Sequence, residues 1–115
     1  MPPGPPAASV GTLDLDHLER MTFGEKALER EVLEMFVAQS ARLLEALATL
    51  PAETPALAHT LKGSARAIGA FKVAGCAATL ETAGQGGQGS DAALAALRDA
   101  VAEARAAIEA RLGRP

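Results

Sequence analysis

Alanine fills roughly a quarter of this 115-residue chain, and that bias limits the fold more than any motif does. Alanine is the strongest helix former, and its small side chain lets neighbouring helices approach closely. Residues that favour strands are scarce. Tryptophan and tyrosine are absent, and aromatic residues make up 3%. The expectation is an all-α domain. One domain is the natural reading of this length, long enough to bury a single core.

Charge and cysteine usage narrow the function. The net charge of −3 argues against a nucleic-acid binder, which carries a basic surplus. A single cysteine excludes an internal disulfide framework and points to a reducing compartment. No apolar run reaches the ~20 residues of a membrane span. The start, MPPGPPAASV, lacks the basic and apolar regions of a signal peptide. The expected location is cytoplasmic, and the high content of alanine, glycine and arginine hints at a GC-rich bacterial genome.

Residues 1–11 hold four prolines and two glycines and read as a disordered tail. Residues 12–115 read as the domain. A short first helix is capped by Asp14, carries Leu15 and Leu18 on one stripe, and is broken at Thr22-Phe23-Gly24. A long second helix runs from about Glu25 to Ala48. Its apolar face is Leu28, Val32, Phe36, Leu43 and Leu47, with Glu29, Arg30, Glu31 and Arg42 largely elsewhere. Pro51 ends that segment. The third helix starts at Thr54 as N-cap with Pro55 in its first position and ends near Gly69. The fourth runs from about Phe71 to Ala83, with Val73, Cys76, Ala77 and Leu80 inward and Gly84 as its stop. Ser90 caps the fifth, whose seam is Leu94, Leu97, Val101, Ala104 and Ile108. Short connections make consecutive helices antiparallel. The sum is an antiparallel four-helix bundle with a short additional N-terminal helix.

The third helix carries the chemistry. At 3.6 residues per turn, Leu57, Leu61, Ser64, Ala65 and Ile68 fall on the core side. His59, Lys62, Gly63 and Arg66 fall opposite. An outward histidine is either an idle solvated side chain or a nucleophile, since a neutral imidazole near neutral pH offers a reactive nitrogen. Lys62 could neutralise phosphoryl oxygens as a point charge, and Arg66 could add a second positive charge or simply be solvated. Gly63 costs about 1 kcal/mol against alanine inside a helix. It is either a tolerated surface glycine or a position cleared beside the imidazole for a partner or a phosphoryl group.

The string His59-Thr60-Leu61-Lys62-Gly63-Ser64, followed by Gly69, resembles the H-x-L-K-G-S…G signature of histidine-containing phosphotransfer (HPt) domains. The short and long front helices with Phe36, and the Leu80-Glu81 pair, agree with it. The resemblance covers about Leu13 to Leu112. It implies that His59 is the phosphorylated residue, reacting through its outer ring nitrogen. By the same likeness Lys62 lies near the phosphoryl group, and Gly63 is the small residue that admits the partner's active site. Glu81 falls where the family often has a glutamine or another polar side chain, in a place to hydrogen-bond the imidazole or Lys62. Ser64 and Gly69 look structural. Arg66 is not a family hallmark; it either tunes partner choice or is a surface charge.

The function implied is a phosphorelay intermediate: a phosphohistidine carrier that passes a phosphoryl group between receiver-domain aspartates, with response-regulator receivers and a hybrid histidine kinase as partners. No cofactor of its own is implied; the magnesium ion belongs to the receiver. Docking would pair apolar residues around His59 with a receiver, rimmed by Lys62, Arg66 and Lys72. The alternative is a non-catalytic bundle that docks a receiver without exchanging phosphate. A third reading, a region cut from a larger histidine kinase, fits the two chain ends less well than a small stand-alone module.

Other motifs read as structure. Gly84-Gln85-Gly86-Gly87-Gln88-Gly89 matches G-x-G-x-x-G, but a helix precedes it where a dinucleotide site needs a strand, so it reads as a loop. His17 reads as a surface residue and Cys76 as a small core residue. Two histidines and one cysteine make an internal zinc site unlikely by count.

Overall fold

The computed structural model describes residues 12–86 and 88–113; the expected tail, residues 1–11, lies outside them. Five helices follow one another with no strand among the described residues: α1 (Leu15–Met21), α2 (Lys26–Leu47), α3 (Thr54–Ile68), α4 (Phe71–Gly84) and α5 (Ser90–Arg111). The last four form the bundle, and α1 packs against α3.

Helix α1 is opened by Asp14, whose carboxylate accepts from the His17 N–H at 3.0 Å. It closes at Thr22, a buried residue whose hydroxyl donates to the Leu18 carbonyl at 2.8 Å. Only half of the expected stripe turns inward. Leu18 is buried and Leu15 is exposed, because Leu13, just ahead of the cap, takes the second inward place. His17 also departs from the expected surface position. Its ring is half-buried and meets Phe71 edge-on, with centroids 5.1 Å apart.

In α2 the buried face is Glu29, Leu33, Phe36, Ser40 and Leu47. Phe36 and Leu47 stand inward as expected, while Leu28, Val32 and Leu43 flank the face half-buried. Glu29, expected outside, is buried. Arg111 donates to both of its oxygens, at 2.9 and 3.0 Å. That hydrogen-bonded guanidinium holds the Glu29 carboxyl below its ordinary range against the opposing cost of burial, and an ion pair met on both oxygens tolerates such a place.

Helix α3 begins at Thr54 itself, with Glu53 in the cap position. The Thr54 hydroxyl is not a cap acceptor; it donates to the Pro51 carbonyl at 2.6 Å. Ser90 is likewise the first residue of α5 rather than its cap. Gly89 stands there, with φ +90°. Ala58, Leu61, Ala65 and Ile68 are buried on α3, with Leu57 and Ser64 half-buried beside them. All five expected seam residues of α5 are buried. On α4, Val73, Ala77 and Leu80 are buried and Cys76 is half-buried.

The connection from α3 to α4 requires a glycine. Gly69 has φ +85°, the left-handed region open to glycine. The Ala70 N–H bonds back to the Ala65 carbonyl at 2.8 Å, and the Gly69 carbonyl accepts from the Asp14 N–H at 2.9 Å. A Cβ on Gly69 would stand 2.8 Å from the Asp14 carbonyl oxygen. This tight turn folds α4 back along α3. The two share the most extensive contact of any helix pair, and both contribute buried alanines to the core, Ala58 and Ala65 from α3 and Ala74 and Ala77 from α4.

Candidate functional site

Close approach of α3 and α4 brings two chemistry-bearing side chains, His59 and Lys62, onto one carboxylate, Glu81. Glu81, on the last full turn of α4, faces the middle of α3. Its Oε2 lies 3.1 Å from His59 Nδ1, and its Oε1 accepts from Lys62 Nζ at 2.7 Å. Lys62 and Glu81 are largely covered, at 17% and 19% side-chain exposure, while His59 is 66% exposed. The imidazole therefore meets solvent while its inner nitrogen is held from behind.

The electrostatics set the proton. Hydrogen bonding from the Lys62 ammonium holds the Glu81 carboxyl below its ordinary range; desolvation opposes this, and the His59 contact adds to it. An ionised carboxylate only accepts hydrogen bonds, so the His59–Glu81 contact requires the imidazole proton on Nδ1. In the neutral ring this leaves Nε2 as the nitrogen with a free lone pair. A carboxylate behind a histidine fixes both the tautomer and the ring orientation, as a buried aspartate does in hydrolytic triads.

Gly63 is exposed on the next turn of α3. A Cβ built there meets no heavy atom within 4 Å, so nothing inside the protein requires glycine at this position. Beside it, between α2 and α3, lies an apolar groove of about 160 Å³ bordered by Val32, Met35, Gln39, Ser64 and Ala67. Met35 is 63% exposed. Sequence periodicity passed over Met35, and its one signal was a large apolar residue standing off the core stripe.

The two outer cations behave differently from Lys62. Arg66 is exposed and makes no ion pair among the described residues. Lys72, expected at the rim of the site, instead pairs with Glu103 of α5 at 2.8 Å. Lys62 also departs from the wheel, which set it outward; it lies on the flank against α4, three residues and about 60° round from His59.

The G-x-G-x-x-G match opens on Gly84, the last residue of α4. A helix precedes it, and a Cβ on Gly84 would meet Pro55 and Thr54 side-chain carbons at 3.2 Å, so Gly84 serves close packing against the start of α3. Among the described residues no group of three or more His, Cys, Asp and Glu side chains could hold a metal ion. None of the described helices is long and apolar enough to cross a membrane.

A family model described as the Hpt domain matches residues 31–107, a span that includes α3 and α4 whole and all the residues of the site. No curated protein and no solved structure matches the chain.

Proposed function

This chain belongs to the Hpt domain family, whose members are histidine carriers of two-component phosphotransfer, and from that premise we propose that it relays a phosphoryl group between receiver-domain aspartates through His59. In the forward step the Nε2 lone pair attacks the phosphorus of an aspartyl phosphate. The N–P bond forms as the P–O bond to the aspartate breaks, and the carboxylate leaves with the bonding pair. The reverse step returns the phosphoryl group to a second receiver's carboxylate. Positive charge that develops on the ring is stabilised through Nδ1–H by Glu81, a positioning residue. Lys62 supplies positive charge one turn from the arriving oxygens, and Gly63 leaves room for the partner. Such transfers rely on positioning and charge neutralisation rather than on covalent help from further side chains. The magnesium ion that phosphoryl transfer requires belongs on the receiver. This reading gives the chain no ATP chemistry, places it in the cytoplasm, and names receivers and a hybrid histidine kinase as its partners.

The observation that carries the reading is one carboxylate holding His59 Nδ1 and Lys62 Nζ together beside a glycine with empty space around it. The test incubates the protein with receiver domains phosphorylated by acetyl phosphate and magnesium. Intact mass then follows an acid-labile, alkali-stable phosphoryl label, with His59→Gln alongside. The label is expected on the wild type alone. Receivers that bind both proteins and label neither would leave a docking-only module.

A further inference from the structure

We infer that Arg66 selects among phosphoryl-bearing partners, admitting a receiver that presents a carboxylate over the C-terminal half of α3; the inference rests on the relay reading above. Arg66 lies seven residues after His59, about 20° round the helix and roughly 10 Å along it. Gly63 lies between them, without a side chain and with no atom within 4 Å of where a Cβ would stand. A partner that reaches His59 across Gly63 therefore covers Arg66 as well. Even a small transient interface buries some 600 Å² per partner, a disc of roughly 14 Å radius.

The neighbouring cations each already have a carboxylate partner. Lys62 is held by Glu81 at 2.7 Å and Lys72 by Glu103 at 2.8 Å. Arg66 alone of these three enters the interface uncompensated among the described residues. A guanidinium covered without a partner carries a desolvation penalty, and one met by a carboxylate does not. The same side chain thus attracts an acidic partner surface and rejects a neutral or basic one, which is how a single charge makes specificity. A net charge of −3 for the whole chain supplies no general attraction for an acidic partner, so this local charge is what such a partner reads.

Arg66 also stands in the last turn of α3, where a cation favours the helix C-terminus. The test separates the two roles. Single-turnover transfer from acetyl-phosphate-loaded receiver domains is followed at ~0.05 M and ~0.5 M salt, for wild type, Arg66→Gln and Arg66→Glu, beside thermal melts. Phosphoramidate labelling of His59 runs in parallel as the check on the relay reading. With receivers that carry an acidic docking surface, Arg66→Glu is expected to lower kcat/KM about tenfold at low salt, with Arg66→Gln between. The gap closes at high salt, as for a charge that steers association. Changing the receiver's facing carboxylate to lysine restores transfer to Arg66→Glu. Equal rates and equal salt dependence across all three proteins would overturn the inference, including the case in which the variants only melt earlier. A wild type that phosphoramidate does not label at His59 would overturn the relay reading itself, and the inference with it.

Discussion

Replacing Gly63 by alanine should stabilise the fold and impair the function, two effects of opposite sign from one methyl group. The stabilisation follows from helix propensity. Gly63 lies inside α3, the Thr54–Ile68 helix, and its Cβ would meet nothing within 4 Å, so no packing penalty opposes the gain of about 0.8–1.0 kcal/mol. With about 2.1 cal/mol/K of unfolding entropy per residue, some 100 ordered residues give roughly 0.2 kcal/mol/K, and the melting temperature rises by about 4–5 °C. The impairment follows from where the methyl stands. Residues four apart on a helix have Cβ atoms about 5–6 Å apart, so the new group sits beside the imidazole on the docking face. Overpacking a close-fitting contact costs about 1–3 kcal/mol, which corresponds to roughly a 5- to 150-fold slower transfer from a receiver. Phosphoramidate, a small donor, should still label His59. Thermal melts and single-turnover transfer on the same preparations decide the matter. An alanine variant that transfers at the wild-type rate would refute the idea that Gly63 clears space for a partner. A variant that melts earlier would refute the propensity argument.

Three further outcomes follow from the geometry. Glu29→Gln should lose about 1–3 kcal/mol at neutral pH. Because folding lowers the Glu29 pKa from its ordinary 4.5, its contribution is present above pH 4.5 and is lost as pH falls through the lower folded value; urea melts of wild type and variant should converge in acid, and a gap independent of pH would count against the Arg111 pair as its source. Gly69→Ala should cost at least about 2 kcal/mol, since φ is +85° and the new Cβ meets the Asp14 carbonyl oxygen at 2.8 Å; Gly24→Ala, also at positive φ but in open space, should cost less in the same melts. Glu81→Ala should slow His59 labelling by about an order of magnitude, with a changed pH profile and partial rescue in Glu81→Gln, whose amide oxygen still accepts from Nδ1. A uniform loss at every pH without rescue would mark a packing role instead.

The seam of helix α5 was legible because its five expected positions are apolar, alternate at three and four residues and are all buried, with Ala93 and Ala100 buried beside them. Helix α2 was read correctly at Phe36 and Leu47 and wrongly at Glu29, which hydropathy counts as outward and the structure buries. Its partner Arg111 lies 82 residues further on, and no local pattern contains that contact. Capping was misassigned at Thr54 and Ser90 for a related reason: each residue type suits an N-cap, but the turn ahead of each helix supplied another residue for the cap. His59 and Gly63 stood out because their faces depend only on the α3 register. The wheel set Lys62 too far outward, because a flank residue lies inward or outward according to what the next helix offers, and α4 offers Glu81, the contact that the resemblance had implied.

That offer returns to the alanine bias. A single glutamate reaches both His59 and Lys62 only if α3 and α4 lie close together, and helix separation is set by the side chains between them. Both helices bury alanines, Ala58 and Ala65 on α3 and Ala74 and Ala77 on α4, the smallest side chains that still favour helix. Leucines in their place would build an equally apolar seam with the helices further apart, and the carboxylate would lose its hold on one partner or both. Gly69 sets the register of the hairpin and the alanines set its width. The composition that first marked the chain as all-α is therefore also what brings Glu81 within 3.1 Å of His59 Nδ1, and the proton placement at the candidate site follows from the packing of the two helices rather than from any residue of the motif alone.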